Sequence, residues 1–258
     1  MNAATKQFRA RPARRMAGER IVLYGPGGVG KTSLCALAPK PCFVDLNRGL
    51  RDGNVASVSA DDGAPLVTTW EELLACLRSD VFDEYQTIVI EMALEVQKLA
   101  EACVLRTIKS SKGERVARIE GYGWGEGWQH VYDTFFSLLP ELDRHAQAGR
   151  HSIITAHNTV RKAPNPAGED YVRDEPAFNQ PPTKGRIGDL VFGWADDVLF
   201  FDFDRHVSEG KAVSAGTRAV HPIEQAHFRA KSRTLREPVV IQEGSGELWQ
   251  RLFAGGAA

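Results

Sequence analysis

Eight consecutive residues near the amino terminus carry the clearest chemical pattern in this 258-residue chain. Residues 25–32 read Gly-Pro-Gly-Gly-Val-Gly-Lys-Thr, which fits G-x-x-x-x-G-K-[ST] in full. In such a loop small residues let backbone amides surround a polyanion, the lysine reaches the β- and γ-phosphates, and the threonine hydroxyl ligates Mg²⁺. An apolar strand before the loop and a helix after it disfavour the alternative of a simple glycine turn. The pattern predicts that a nucleoside triphosphate and Mg²⁺ are bound by Gly25, Pro26, Gly27, Gly28, Val29, Gly30, Lys31, Thr32 and Ser33.

Acidic residues at two further strand ends could complete such a site. Glu91 follows the apolar run Thr-Ile-Val-Ile, where a carboxylate can contact the waters of a bound metal. We assign it to the metal together with Thr32, over the alternative of a carboxylate at a helix amino terminus. Asp45 is either the general base that activates water or the cap of a turn. Asn47, two residues further on, cannot accept a proton. The sequence therefore predicts nucleotide binding with slow turnover.

The order of these segments resembles the RecA-like ATPases, and most closely the phage-encoded core-only RecA proteins of single-strand annealing and recombination. The likeness covers about residues 20–242. It implies a RecA-like fold, ATP bound between the subunits of a ring or filament, and single-stranded DNA held by loops after the sensor strand. The residues that carry it are the glycine-rich loop, Val44-Asp45-Leu46-Asn47, Ile88-Val89-Ile90-Glu91, Thr155-Ala156-His157-Asn158 and, like a Lys-Asn-Arg motif of the related RadA proteins, Lys231-Ser232-Arg233.

The chain departs from this family at two positions. Asn47 stands where a water-activating glutamate is usual, and Glu91-Met92 stands where the family has Asp-Ser. Both departures affect the expected turnover more than the nucleotide site.

Further roles follow from the resemblance. His157 and Asn158 lie where the family senses the γ-phosphate; alternatively, they satisfy loop backbone at a strand end. Lys231 and Arg233 are two apart on a predicted strand and so share one face, from which they would reach the ATP of a neighbouring subunit. The alternative is a solvated strand face. The resulting catalytic set is Lys31, Asp45, Glu91, His157 and Arg233, and Lys231 joins the nucleotide-binding residues.

Residues 158–186 are rich in proline and charge and lack periodicity, which predicts a long loop, either functional or a disordered surface segment. The resemblance implies that single-stranded DNA binds here. Because acidic residues nearly balance its cations, Tyr171 and Phe178 would contribute by stacking on bases. The cations of this candidate nucleic-acid site are Arg161, Lys162, Arg173, Lys184 and Arg186.

Two other segments are candidates for nucleic-acid binding. Residues 1–19 form a predicted flexible basic arm ahead of an ATPase core at 20–258. If the six cations of the first twenty residues contact phosphates of single-stranded DNA, the logarithm of the binding constant should fall with the logarithm of salt concentration with a slope of about −4. The alternative is that the arm is only a solubilising tail. The run 121–128 alternates glycine with aromatics, and its Tyr122, Trp124 and Trp128 either stack on bases or, as we favour, anchor a flexible loop to the core or to a neighbouring subunit.

Short apolar runs alternating with amphipathic segments must position these residues. This alternation predicts one RecA-like α/β domain with a mostly parallel, doubly wound sheet and an antiparallel extension near the carboxyl terminus. Predicted strands are 20–24, 42–46, 55–58, 87–90, 152–156, 198–203, 226–230 and 238–241, with a hairpin turn at Glu209-Gly210. Predicted helices are 31–38, 70–78 with Thr68 or Thr69 as its cap, 92–109 and 129–148.

The composition narrows the classes of function. The net charge of −1 does not indicate that the whole molecule attracts polyanions, so any nucleic-acid binding would depend on local basic patches. No apolar run approaches the roughly 18 residues of a membrane span. The four cysteines do not have the spacing of a metal-binding motif, which predicts reduced thiols in a cytoplasmic protein. If the protein is phage-encoded, this is the cytoplasm of the bacterial host. We expect an ATP-hydrolysing homo-oligomer that binds single-stranded DNA, with a single-strand-binding protein as a candidate partner and no membrane. Two alternatives stay open: a non-hydrolysing nucleotide-dependent scaffold that recruits replication or recombination proteins, and a small-molecule phosphotransferase whose lid is the loop 158–186.

Overall fold

A computed structural model describes residues 17–50, 55–60, 64–179, 181, 185–208 and 211–254, without the side chains of 204–208 and 211–215. The strands formed by these residues are β1 (Arg20–Gly25), β2 (Pro41–Asp45), β3 (Ala56–Ser57), β4 (Thr87–Glu91), β5 (His151–Ala163), β6 (Tyr171–Pro176), β7 (Asp197–Ser208), β8 (Lys211–His221) and β9 (Val239–Ile241). The helices are α1 (Lys31–Cys35), α2 (Trp70–Arg78), α3 (Ala93–Thr107), a 3₁₀ turn η1 (Ile119–Tyr122), α4 (Glu126–Phe136), α5 (Leu139–Gln147), α6 (Ile187–Trp194) and α7 (Glu247–Ala254).

One sheet organises these elements, in the order β3-β2-β4-β5-β1-β7-β8-β9, with β6 paired to β5. From β3 to β7 the neighbouring strands are parallel, and β8 and β9 add to this sheet in antiparallel fashion. The predicted parallel sheet with an antiparallel extension is therefore confirmed. Strand β1 lies in the interior of the sheet, which explains why its residues 21–24 are an unbroken apolar run.

Alternation along β1 divides the core into two layers. Val22 and Tyr24 belong to the larger buried cluster, which also receives α2 to α6. Ile21 and Leu23 belong to a second cluster, closed by α1 and α7. Because side chains alternate across a strand, β1 packs into both layers, and the loop that follows it begins from the buried core.

The amino-terminal boundary of the domain differs from the predicted arm of 1–19. Gly18 donates its backbone N–H to Ala146, and Glu19 is 5% exposed. Gly18 and Glu19 therefore belong to the core and not to the arm. Arg20, the first residue of the predicted core, is paired with Asp196 at 2.9 Å and with Asp143 at 3.0 Å. Residues 1–16 of the predicted arm lie outside the described part of the chain.

The helices confirm some predictions and correct one. Helix α2 has the predicted bounds, and Thr69 is its cap: its hydroxyl accepts from the N–H of Glu72, whose carboxylate returns to the Thr69 N–H. The single helix predicted at 129–148 is instead two helices, α4 and α5. Pro140 lies in the first turn of α5, where backbone N–H groups have no partner within the helix, so the missing N–H of proline costs no hydrogen bond. In the middle of one long helix the same proline would interrupt the backbone hydrogen bonds.

The predicted long loop at 158–186 is largely wrong. Strand β5 continues past the sheet to Ala163 and pairs with β6 in an antiparallel hairpin, in a register that sets Arg161 opposite Arg173. Pro164 lies just outside β5 and Pro176 is the last residue of β6, positions at which proline does not interrupt the pairing. Two of the prolines that suggested a structureless loop, Pro164 and Pro176, therefore mark the ends of strands.

The carboxyl-terminal elements include a second correction. Strands β7 and β8 pair up to Ser208 and Lys211, around a predicted turn at 209–210 that lies outside the described residues. Residues 226–230 form no strand; Gln225 and Phe228 are joined by an isolated bridge within a turn. Helix α7 was not predicted, and it buries Trp249, whose indole N–H donates to Leu34. None of the helices in the described ranges is long and apolar enough to span a membrane.

Candidate nucleotide site at the sheet edge

Three adjacent strands, β4, β5 and β1, bring three of the predicted catalytic residues, Lys31, Glu91 and His157, to one edge of the sheet. Glu91 is the last residue of β4, and His157 of β5 is aligned with Gly25 at the end of β1. Ligands of parallel α/β sheets bind at the carboxyl ends of the strands. The glycine-rich loop that follows Gly25 is thus flanked by Glu91 and His157, which are distant in sequence.

Close packing and backbone conformation explain the glycines of this loop. A side-chain Cβ at Gly25 would lie 1.9 Å from the carbonyl oxygen of Phe201, so no larger residue fits there. Gly30 has a φ of 100°, a left-handed conformation that residues with a side chain rarely adopt. Glycine at both positions therefore allows the backbone path by which the loop connects β1 to α1.

Lys31 is folded back against the loop that precedes it. Its ammonium group donates to the carbonyl oxygens of Gly25 and Pro26, each at 2.9 Å, and its Nζ lies 3.5 Å from Nδ1 of His157. Burial lowers the pKa of Lys31, an effect that the carboxylate of Glu91 opposes. A buried cation whose partners are neutral carbonyls gains from contact with an anion, and phosphate oxygens are such a partner.

Thr32 and Glu91 form the candidate metal position. The Thr32 hydroxyl donates to Oε1 of Glu91 at 3.0 Å, and burial raises the pKa of Glu91 while this hydrogen bond opposes the rise. Among the described residues, Oε2 of Glu91 has no hydrogen-bond partner. Mg²⁺ binds with one or two protein oxygens, phosphates and several waters, and needs no larger cage. The pair fits that requirement, whereas the described residues contain no cluster of three or more acidic, His or Cys side chains for a metal.

The two residues at the predicted sensor position point to different partners. His157 is exposed and faces Lys31, whereas the amide of Asn158 donates to Asp174 of β6 at 2.6 Å. Burial and the nearby charge of Lys31 lower the pKa of His157. This geometry favours phosphate contact for His157 and the strand-end alternative for Asn158.

Asp45 is held in the structure of its own loop. One carboxylate oxygen accepts the N–H groups of Asn47 and Gly49, and the other accepts that of Leu50. With both oxygens used in this way, the geometry favours the turn-capping alternative over a general base. The amide of Asn47 lies 3.5 Å from the sulfur of Met92, so it extends toward the end of β4.

Lys231 and Arg233 lie toward the opposite end of the sheet. Arg233 contacts Asp196 at 3.2 Å, and the backbone of Asp196 is bonded to Arg20 at the start of β1. Because β1 rises about 3.3 Å per residue, Arg20 and Gly25 are roughly 17 Å apart. Arg233 therefore cannot act on this subunit's own phosphates, and its predicted role requires a second subunit.

The strand on which these two cations were placed is also incorrect. Lys231 makes an isolated bridge with Val198, and its ammonium lies 4.9 Å from the ring of Phe192. The Ser232 hydroxyl is bonded to Asp197 and accepts the N–H groups of Thr234 and Leu235. These bonds turn the chain, so a common strand face for the two cations does not form.

The predicted nucleic-acid cations are mostly paired within the hairpin region. Arg173 bonds Glu175 and Glu224 at 2.8 and 2.7 Å, and Arg161 donates to the carbonyl of Phe178. Both guanidinium groups are therefore used to hold the hairpin against the domain.

The remaining predicted contacts of this region have different fates. Lys162 pairs with Asp170 yet keeps a 72% exposed side chain, and Arg186 pairs with Asp189. Lys184 lies outside the described residues. Phe178, expected to stack on bases, is 2% exposed and packs edge-on against Phe135, so that expectation is wrong.

The glycine–aromatic run divides into anchor and exposed positions. The Tyr122 hydroxyl donates to the carbonyls of Val104 and Ile108, which confirms an anchor at that residue. Trp124 is 97% exposed, with a φ of 47° between two glycines of positive φ. Trp124 does not anchor this loop to the core of its own chain.

Arg218 is a residue of this site that the sequence analysis missed. It lies on β8, and its Nη1 donates to the carbonyl of Val29 within the glycine-rich loop at 3.0 Å. A Cβ at Gly30 would lie 2.5 Å from the same Nη1. No local motif marks this arginine, because the contact joins residues 189 positions apart.

Known protein families and solved structures resemble this chain to different degrees. The described fold is a mixed α/β sheet of mostly parallel strands. Solved structures that match include a KaiC-like protein from Pyrococcus horikoshii (15% identity, TM-score 0.45, 89% of this chain and 88% of that one). The flagellar accessory protein FlaH from Methanocaldococcus jannaschii also matches (11% identity, TM-score 0.40, 86% and 84%). No curated protein matches the chain. A family model described as an AAA domain matches residues 17–234, and the chain therefore belongs to this family of P-loop ATPase domains.

Proposed function

We propose that the protein binds and slowly hydrolyses ATP and that it binds single-stranded DNA to promote annealing or recombination. One observation carries this proposal. Strand β5 lies beside the glycine-rich loop at His157 and then continues directly into the hairpin with β6. A change at the γ-phosphate would thus be transmitted along one continuous strand to an exposed surface element.

Hydrolysis would proceed by in-line attack of water on the γ-phosphate, with electrostatic stabilisation as the main contribution of the protein. Lys31 would exchange its carbonyl partners for phosphate oxygens, and His157 would hydrogen-bond to the γ-phosphate. Thr32 and Glu91 would hold Mg²⁺, which neutralises phosphate charge when bound. Arg233 of a second subunit would add a cation from outside. With Asp45 engaged in its loop, no described carboxylate is left as an evident base, which fits slow turnover.

An exposed aromatic ring and nearby positive charges support the proposal that the protein binds nucleic acid. Trp124 offers a fully accessible ring, and base–aromatic stacking contributes about 1–3 kcal/mol per base. The segment before it carries four cations against two acidic residues, Glu114 and Glu120; the cations are Lys109, Lys112, Arg115 and Arg118. Lys162 on the exposed face of the hairpin adds a further charge. In this assignment the paired Arg161 and Arg173 are structural, so the contact surface differs from the one expected from sequence.

Turnover with and without DNA tests the proposal. We expect single-stranded DNA to stimulate ATP hydrolysis by the wild type, and the stimulation to disappear in Lys31→Ala. Lys98→Ala is the matched control, because Lys98 is an exposed residue of α3 whose ion pair is with Glu95 of the same helix. Turnover indifferent to DNA, together with undetectable oligonucleotide binding at low salt, would contradict the proposal.

The arm has its own test within the same assay. Deletion of residues 1–16 should flatten the salt dependence of oligonucleotide binding if the five cations of that segment touch phosphates. An unchanged slope would restrict the DNA-binding surface to the described domain.

A second candidate function is a nucleotide-dependent scaffold that does not hydrolyse ATP. The bonding of both Asp45 oxygens to backbone N–H groups favours it, because the neighbouring Asn47 cannot replace a base. A DNA-stabilised oligomer that forms with ATP but shows no turnover would identify the scaffold. The phosphotransferase alternative loses its main argument, since the expected lid is a hairpin built onto the sheet.

A further inference from the structure

A cavity of about 450 Å³ opens beside the glycine-rich loop, on the side of α1. Gly30, Thr32 and Ser33 form one wall, and Arg218 lies among the residues that line it. This volume is within the range of roughly 300–1,000 Å³ that is usual for small-molecule sites. Because the loop residues predicted to hold phosphates also line the cavity, a group attached to those phosphates would enter it.

The remaining walls of the cavity are suited to a flat, partly apolar group. Leu50, Val55 and Ile241 contribute apolar residues to the lining, and Phe201 of β7 also lines the cavity. Gln242 and Glu243, both exposed, add polar groups at the rim. Apolar surfaces with a few polar groups are typical of sites that bind a ring system in a fixed orientation.

Arg218 is the cationic side chain among the described residues that line this cavity. Its guanidinium carbon lies 5.9 Å from the centre of the Phe201 ring, and its Nη1 is bonded to Val29. The guanidinium carries five N–H donors in a planar fork. The bond to Val29 therefore leaves donors and a flat face that a ligand in the cavity can contact.

We propose that Arg218 contacts the nucleoside portion of the bound triphosphate in this cavity and thereby determines nucleotide specificity from within the same subunit. This inference rests on the proposed function, since it assumes triphosphate binding at the loop. It assigns two tasks to one side chain: Nη1 braces the loop through Val29, and the remaining fork contacts the base and ribose. Arg218 is thus distinct from Arg233, whose contacts lie toward the opposite end of the sheet.

Comparing ATP with inorganic tripolyphosphate separates these two tasks. Tripolyphosphate presents the phosphate chain without a nucleoside, so a residue that only braces the loop affects both ligands equally. Calorimetry with Mg²⁺ present would compare the wild type, Arg218→Ala and Arg218→Lys. Arg236→Ala is the matched control, because Arg236 is exposed and donates to Arg233, outside the cavity.

We expect Arg218→Ala to weaken ATP binding by roughly 10- to 100-fold more than it weakens tripolyphosphate binding, the range for loss of a hydrogen-bonded charged group, because the lost bond to Val29 affects both ligands and the lost nucleoside contact affects only ATP. Arg218→Lys keeps the charge without the planar fork, and should bind ATP nearly as weakly; it also tests the inference if the alanine variant fails to fold. Equal losses for both ligands, or no loss for either, would overturn the inference while leaving the proposed function intact. A wild-type protein that binds neither ligand would overturn both.

Discussion

Replacement of His157 by alanine is the most direct test of the nucleotide site. The imidazole is exposed, and its Nδ1 lies 3.5 Å from the ammonium of Lys31. A γ-phosphate bound by Lys31 would therefore lie within reach of the same ring. The variant removes this contact and leaves the packing of β5 intact, because residues 152–156, which precede His157, supply the buried part of the strand.

The expected loss follows from one hydrogen bond to a charged group. Such a bond contributes about 1.5–3 kcal/mol. At about 1.36 kcal/mol for each factor of ten in rate, its removal from the transition state lowers kcat roughly 10- to 150-fold. If the contact were equally strong in the ground state, the loss would appear in ATP affinity instead of kcat.

Single-turnover hydrolysis and ATP binding should be measured on His157→Ala and on the neighbouring variant Asn158→Ala. Asn158 points away from Lys31 and bonds Asp174, so its loss should weaken the hairpin and change basal turnover less than about twofold. Wild-type turnover and affinity in His157→Ala, or an equal fall in basal turnover in Asn158→Ala, would contradict a contact between His157 and the γ-phosphate.

Three further outcomes are expected. Thr32→Ala should abolish the gain in ATP affinity on adding Mg²⁺ and leave binding in EDTA unchanged; a retained Mg²⁺ effect would remove Thr32 from the metal site. Trp249→Ala should lower the free energy of unfolding by about 3–5 kcal/mol, and the exposed Trp124→Ala by less than about 0.5 kcal/mol while weakening oligonucleotide binding; equal losses in denaturant titrations would contradict the assigned burial. Burial lowers the pKa of His151 to about 4. As the pH falls, this histidine therefore takes up a proton near pH 6.5 in the unfolded chain and only near pH 4 in the folded one, so the free energy of unfolding should decrease between pH 6.5 and 4 by at most about 3 kcal/mol. His151→Phe should flatten that part of the pH–stability curve.

The structure shows why some site residues could be predicted and others could not. The glycine-rich loop and the cap of α2 are contiguous patterns, in which the residues that interact are within a few positions of one another. The hairpin of β5 and β6 depends on pairing between strands, and its charged side chains conceal the period of two that a buried face would reveal. Arg161 and Arg173 were therefore predicted to bind nucleic acid, although their guanidinium groups bond to other parts of the chain.

Roles that depend on the path of the backbone beyond a strand end could not be predicted from the sequence. Lys231 and Arg233 were expected to share a strand face, but the Ser232 hydroxyl turns the backbone between them. The role of Asp45 depended equally on three backbone N–H groups whose direction the sequence does not specify. In each case a polar side chain found a local partner and adopted a structural role.

The sequence alone determined the triphosphate loop, the apolar strands around it and the class of fold, because each depends on neighbouring residues and on burial. The packing of the strands sets which distant side chains join that loop. Glu91 and His157 meet it because β4 and β5 lie beside β1, and Arg218 reaches it because β8 returns antiparallel along β7. Strand order is set by packing of the whole sheet, so contacts across it are absent from any local pattern.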